Sequence, residues 1–178
     1  MMRTAWIRLA LLTVASRPGT LAAQWRVSVE PALGSRQSSV LAVAREVSDS
    51  VATDEPAISL VVRCAGRTLD AFITTRDRLD SDTNGDLRVR VQSDGARQRD
   101  VRWQATKSNT GAFIPALDLR DIIQRGFLRT RALRITAATQ QRGRVTYVFP
   151  VADFRPALSA LRDACPNDRG GALAEPSR

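Results

Sequence analysis

Ile58-Ser59-Leu60-Val61-Val62-Arg63-Cys64 is the stretch on which the reading of this chain turns. Ile58, Leu60, Val62 and Cys64 recur at a period of two, which is the pattern of a β-strand with one buried face. The strand ends in one of only two cysteines. The other, Cys165, closes the apolar side of a pattern formed by Phe154, Ala157, Leu158 and Leu161, whose spacing is that of an amphipathic helix. A strand near one end of the chain and a helix near the other thus each carry one thiol.

Whether those thiols pair depends on the compartment. Arg3 and Arg8 precede a short apolar run, residues 9–15, and small residues at Ala22 and Ala23 supply a cleavage site, so residues 1–23 read as a secretion signal. The run is far shorter than the ~20 residues that span a bilayer, and no second one long enough for a transmembrane anchor follows. In an oxidising compartment two cysteines in one small domain are most simply a Cys64–Cys165 disulfide, the alternative being two free thiols. No CxxC spacing points to zinc or redox work. Removing the signal takes away Arg3, Arg8 and Arg17 and no acid, which lowers the net charge from +9 to +6.

Working outward, residues 25–29 alternate as a first strand, and residues 40–47 are ambiguous between strand and helix but read as strand among β-rich neighbours. Residues 57–75 form a hairpin. Residues 87–92 give the cleanest alternation in the chain, apolar inward and basic or polar outward, and pair through the Ser93-Asp94-Gly95 turn with residues 101–105. A short apolar run, 111–114, precedes a helix over Leu119, Ile122 and Ile123, with Asp118 as its cap and Gly126 as its stop. Strands follow around Leu133 and Ile135 and from Val145 to Val151, where Pro150 argues for a sheet edge. Asp153 then caps the last helix, with Pro156 in its first turn. The sum is a mainly β fold: an antiparallel β-sandwich or open barrel with two short helices and one disulfide. It divides into the signal (1–23), N-terminal strands and loop (24–56), a disulfide-closed β domain (57–165) and a disordered tail (166–178).

The order of features resembles the VasI-like (TagO-type) periplasmic accessory proteins associated with type VI secretion. The resemblance rests on a strand ending in Leu60-Val61-Val62-Arg63-Cys64, then Val89-Arg90-Val91, a Trp103 strand and Ala112-Phe113-Ile114-Pro115. Phe149-Pro150-Val151 then leads into a helix ending at Cys165. It covers residues 57–165 and implies a periplasmic or secreted, disulfide-closed domain that works by binding other envelope components. It carries over no catalytic residue and no cofactor.

The chain has no histidine, which removes Ser-His-Asp and Cys-His catalysis and histidine metal sites. Three features compete as sites. Asp80, Asp82, Asn84 and Asp86 alternate like the start of a calcium loop, but Val91 stands where an EF-hand needs Glu, which excludes an EF-hand and favours a solvated polar turn between strands over a looser calcium-binding turn. Arg88, Arg90, Arg97, Arg99 and Arg102 crowd one hairpin, either as ordinary solvated faces or as an anion-binding patch. The matching partner is a cell-envelope protein or an anionic envelope glycan. Nucleic acid fits poorly, because no aromatic residues interleave with the basic ones. Finally Asp77, Asp80, Asp82 and Asp86 are close enough in sequence to suggest a glycan-acting carboxylate pair, the alternative function, although nothing in the sequence places them in a cleft.

Overall fold

The structure, a computed structural model, describes residues 25–31, 38–45, 58–65, 68–166 and 173. The signal segment, the acidic loop before Pro56 and the tip of the first hairpin lie outside the described residues. Among the described residues nine strands form one antiparallel sheet: β1 (Arg26–Pro31), β2 (Ser38–Arg45), β3 (Ser59–Ala65), β4 (Thr68–Thr74), β5 (Asp86–Ser93), β6 (Arg99–Ala105), β7 (Gly111–Phe113), β8 (Ala132–Thr139) and β9 (Gly143–Pro150). Their order is β1-β2-β3-β4-β7-β6-β5-β8-β9. The sheet is open: β1 and β9 are its edges, which agrees with the proline that ends β9. Both predicted hairpins form, β3 with β4 and β5 with β6. The N-terminal strands belong to the same sheet, because β2 pairs with β3.

Period-two alternation sorts the side chains. Leu60, Val62 and Cys64, Ala71 and Ile73, Leu87, Val89 and Val91, Trp103, Leu133 and Ile135, and Tyr147 and Phe149 are all buried. They pack against two helical pieces that fill the curl of the sheet. The first begins as α1 (Ala116–Asp121) and continues as a π-helical segment, Ile122–Phe127; the second is α2 (Arg155–Ala164). Leu119, Ile122, Ile123 and Phe127 from the first, and Ala157, Leu158 and Leu161 from the second, complete the core. Leu173 is also fully buried, so the expectation of an unpacked tail does not extend to that residue.

Three local expectations are corrected. Asp118 does not cap α1: the helix starts after Pro115 with no side-chain cap, and the Asp118 carboxylate instead accepts the indole N–H of buried Trp103 at 3.2 Å. A buried indole N–H needs a partner, and the first helical turn holds that acceptor where the helix dipole also favours it. Asp153 does not cap α2; it takes a left-handed conformation, φ 58°, and Phe154 leads the helix. Gly126 does not stop the first helix, which runs on to Phe127. A side chain at Gly126 would crowd Ser93 Oγ at 3.2 Å, so the missing Cβ lets this turn lie close to the end of β5.

The two ends of the sheet are tied together. α2 leaves the β9 edge, packs against β2 with contacts to β1 and β3, and ends at Cys165, which is bonded to Cys64 of β3 across a sequence separation of 101 residues. Both cysteines are buried. Trp25, just ahead of β1, stacks on Phe154 and Phe127 with ring centroids 4.6 and 5.1 Å away, and donates its indole N–H to the Val151 carbonyl at 3.3 Å. Closing a loop of this length limits the unfolded chain by up to roughly 4–5 kcal/mol in the chain-entropy model. We expect Cys165→Ser, or reduction of the bond, to lower stability by ~2–5 kcal/mol in urea denaturation. Identical curves with and without reductant would remove the bond from the account of stability.

Candidate functional site

The face of β5 away from the core carries Arg88 and Arg90. Cross-strand register decides what stands beside them. Arg88 is directly opposite Arg102 of β6, and Arg90 is opposite Asp100. On the other side, β5 and β8 pair Val89 with Ala137 and Arg90 with Thr136, and continuing by one residue sets Arg88 beside Ala138. Ala138 is opposite Arg144 of β9. One row across four strands therefore reads Arg102, Arg88, Ala138, Arg144. With a strand spacing of about 4.8 Å it spans roughly 14 Å.

These residues line a groove of about 860 Å³, together with Asp80, Asp82, Asp86, Asp100 and Thr136. Arg90 is neutralised by its neighbour: its Nε donates to Asp100 at 2.9 Å. Arg88, Arg102 and Arg144 have no carboxylate partner among the described residues. Several guanidinium groups elsewhere are engaged. Arg134 pairs with Asp94 at 2.9 Å, Arg142 pairs with Asp77, and Arg63 donates through Nε and Nη2 to both oxygens of Asp70 at 3.0 and 2.6 Å. Hydrogen bonding to those carboxylates raises the pKa of Arg63 and of Arg142 above the ordinary guanidinium value, most strongly through the shared proton contact itself.

Of the five arginines read from the sequence, Arg88, Arg90 and Arg102 come together. Arg97 lies exposed near the β5–β6 turn, and Arg99 faces the other way, bridging with Arg125 to Asp121 on α1. The residue that sequence reasoning missed is Arg144. It sits in a different hairpin, 42 residues beyond Arg102, and only sheet order brings it into the row.

The acidic loop forms one wall of the groove, and its side chains explain its sequence. Asp82 Oδ1 accepts the backbone N–H groups of Asn84 and Asp86 at 2.9 and 2.8 Å, so this carboxylate holds its own turn. Gly85 has φ 81°, and a Cβ there would stand 2.4 Å from the Gln104 amide nitrogen, which donates to the Asn84 carbonyl at 2.9 Å. Leu79 and Asp80 anchor the loop to Asn109 and Ala138 through backbone bonds. Asp77 is not part of the groove; it faces Arg142 in the β8–β9 turn. Among the described residues, no group of three or more acidic or thiol side chains is arranged to hold a metal ion.

The same outward face continues toward β4. Phe72 is opposite Phe113, and Phe113 is opposite Gln104, which in turn is opposite Asp86. The two rings meet edge to face with centroids 5.8 Å apart, and the Arg63 guanidinium lies over Phe72 at 5.4 Å. Phe113 is 42% exposed, high for so large an apolar ring.

Comparison of the chain with protein-family models, with curated proteins and with solved structures returns no match. Among the described residues no helix is long and apolar enough to cross a membrane.

Substitutions at two positions check the loop. Gly85→Ala forces a left-handed alanine against Gln104 and should cost about 1–2 kcal/mol. Asp82→Asn keeps an acceptor oxygen for the turn and should be close to neutral, whereas Asp82→Ala should cost about 1 kcal/mol, and millimolar calcium should leave the melting temperature of the parent unchanged. A calcium-dependent rise in melting temperature that Asp82→Asn abolishes would restore a metal role for the loop.

Proposed function

We propose that this protein is a non-enzymatic binding or accessory protein of the periplasm or the secreted space, and that the groove on the outer face of β5, β6, β8 and β9 holds the anionic part of its partner. The observation that carries this reading is the juxtaposition of Arg88 and Arg102. Like charges directly opposite on neighbouring antiparallel strands weaken a sheet. Here they stand without a carboxylate between them, while Arg90 and Asp100, two residues along on the same face, show the arrangement that stability alone favours. Arg144 adds a third unpaired guanidinium, and guanidinium groups match carboxylate and phosphate oxygens in bidentate geometry.

A binding role is supported by the side-chain inventory. The chain lacks histidine, Asp82 holds its own turn, and Asp100 pairs with Arg90. The Cys64–Cys165 bond supports an oxidising compartment. The resemblance to VasI-like accessory proteins supports a place in the cell envelope, with service to a type VI secretion system as its specific form.

Sedimentation of the protein with purified envelope material tests the reading. Binding should weaken steeply from 50 to 300 mM salt. Arg88→Ala with Arg102→Ala should reduce it about tenfold, roughly 1.4 kcal/mol, at a melting temperature no lower than the parent's, because the substitution removes a repulsive cross-strand pair. Binding that ignores both salt and the double substitution would refute the groove as the binding surface.

A further inference from the structure

The groove is not uniformly basic, and that narrows what it accepts. The row Arg102, Arg88, Arg144 crosses its floor, with Asp86 two residues from Arg88 on the same face of β5, whereas Asp80 and Asp82 line it from the loop side. A dense polyanion laid along the floor would meet those carboxylates and be repelled. A ligand carrying a separate acid group together with hydroxyls satisfies both sides: guanidinium groups donate to the acid, and Asp80 and Asp86 accept from hydroxyl groups. Thr136 is already bonded to Thr146 at 2.7 Å and adds a polar floor.

Beside the groove stands an aromatic surface. Phe113 is paired with Gln104, and Arg102 is two residues from Gln104 on the same face of β6. One strand spacing across and two residues along put Phe113 and Arg102 roughly 8 Å apart at the backbone. Phe72 meets the Phe113 ring edge to face from the neighbouring strand, and Phe113 keeps exposed ring surface next to a cationic row. All the strands concerned except β9 are interior ones, so their backbone groups are engaged in the sheet on both sides and offer no edge to an extended peptide. Recognition here falls to side chains: a ring surface and planar guanidinium groups, with carboxylates at the wall.

We infer that this face takes an acidic saccharide chain, with a sugar ring laid on Phe113, its carboxylate or phosphate held by Arg102, Arg88 and Arg144, and its hydroxyls donating to Asp80 and Asp86. The inference rests on the groove being the binding surface proposed above, and adds the chemistry of the occupant.

Titration calorimetry at low salt separates the two claims. The probes are oligogalacturonate and a phosphomannan as acidic saccharides, maltohexaose as a neutral one, and polyglutamate and polyphosphate as anions without sugar rings. At least one acidic saccharide should bind, with maltohexaose, polyglutamate and polyphosphate at least tenfold weaker. Phe113→Ala should weaken it about fivefold, Arg144→Ala by a similar factor, and Arg97→Ala, away from the groove, should leave it unchanged. Polyglutamate or polyphosphate binding as tightly as the saccharides, or an unchanged affinity in Phe113→Ala, overturns the saccharide inference while leaving an anion groove. Failure of every anionic probe to bind overturns both. Equal melting temperatures of the variants exclude misfolding as the cause.

Discussion

The Cys64–Cys165 bond is the constraint on which the rest of the structure depends. An antiparallel sheet of nine strands with two free edges has no geometric reason to hold a particular curl. Here the chain leaves the β9 edge, turns into α2, crosses the interior and is fastened to β3 near the other end. Leu158 and Leu161 are carried into the core by that path, and Trp25 closes over Phe127 and Phe154 from the β1 side. The covalent tie and the aromatic cluster act on the same joint. One limits the unfolded ensemble, and the other buries ring surface in the folded one.

Fixing the curl also fixes the outer face. Because side chains alternate across a strand, every inward residue that the core demands commits its neighbours to the opposite side. Leu87, Val89 and Val91 point in, so Arg88 and Arg90 point out; Leu133, Ile135 and Ala137 do the same for Thr136 and Ala138. The small side chain of Ala138 between Arg88 and Arg144 leaves room in the row. The loop ahead of β5 is held over the face by Asp82, Gly85 and Gln104, so the acidic wall is as firmly placed as the basic floor. A site of this kind follows from ordinary sheet geometry together with departures from charge pairing at Arg88, Arg102 and Arg144.

Much of the fold was legible locally. The hairpins at β3–β4 and β5–β6, the apolar stripe of α2 and the edge position of β9 follow from alternation, helical spacing and Pro150, each visible within a dozen residues. The helix starts were less legible. Asp118 and Asp153 have the composition of caps, but a buried indole claimed one and a left-handed turn claimed the other. Gly126 has the composition of a stop, but close packing on β5 outweighed it. At Asp118 and Gly126 a tertiary contact overruled a local preference worth only about 1 kcal/mol.

The amino-acid sequence by itself determined that the chain is β-rich, that one face of each strand is buried, that two cysteines stand where a strand and a helix end, and that histidine chemistry is absent. These are properties of composition and short-range period. Only the tertiary structure decided which arginines share a surface. It kept Arg88, Arg90 and Arg102, turned Arg99 toward Asp121, left Arg97 near a turn, and brought in Arg144 from β9. The physical reason is that strand order and register are set by how the whole sheet closes over its core. A one-residue change of register would move every one of these side chains to the other face without altering any local pattern.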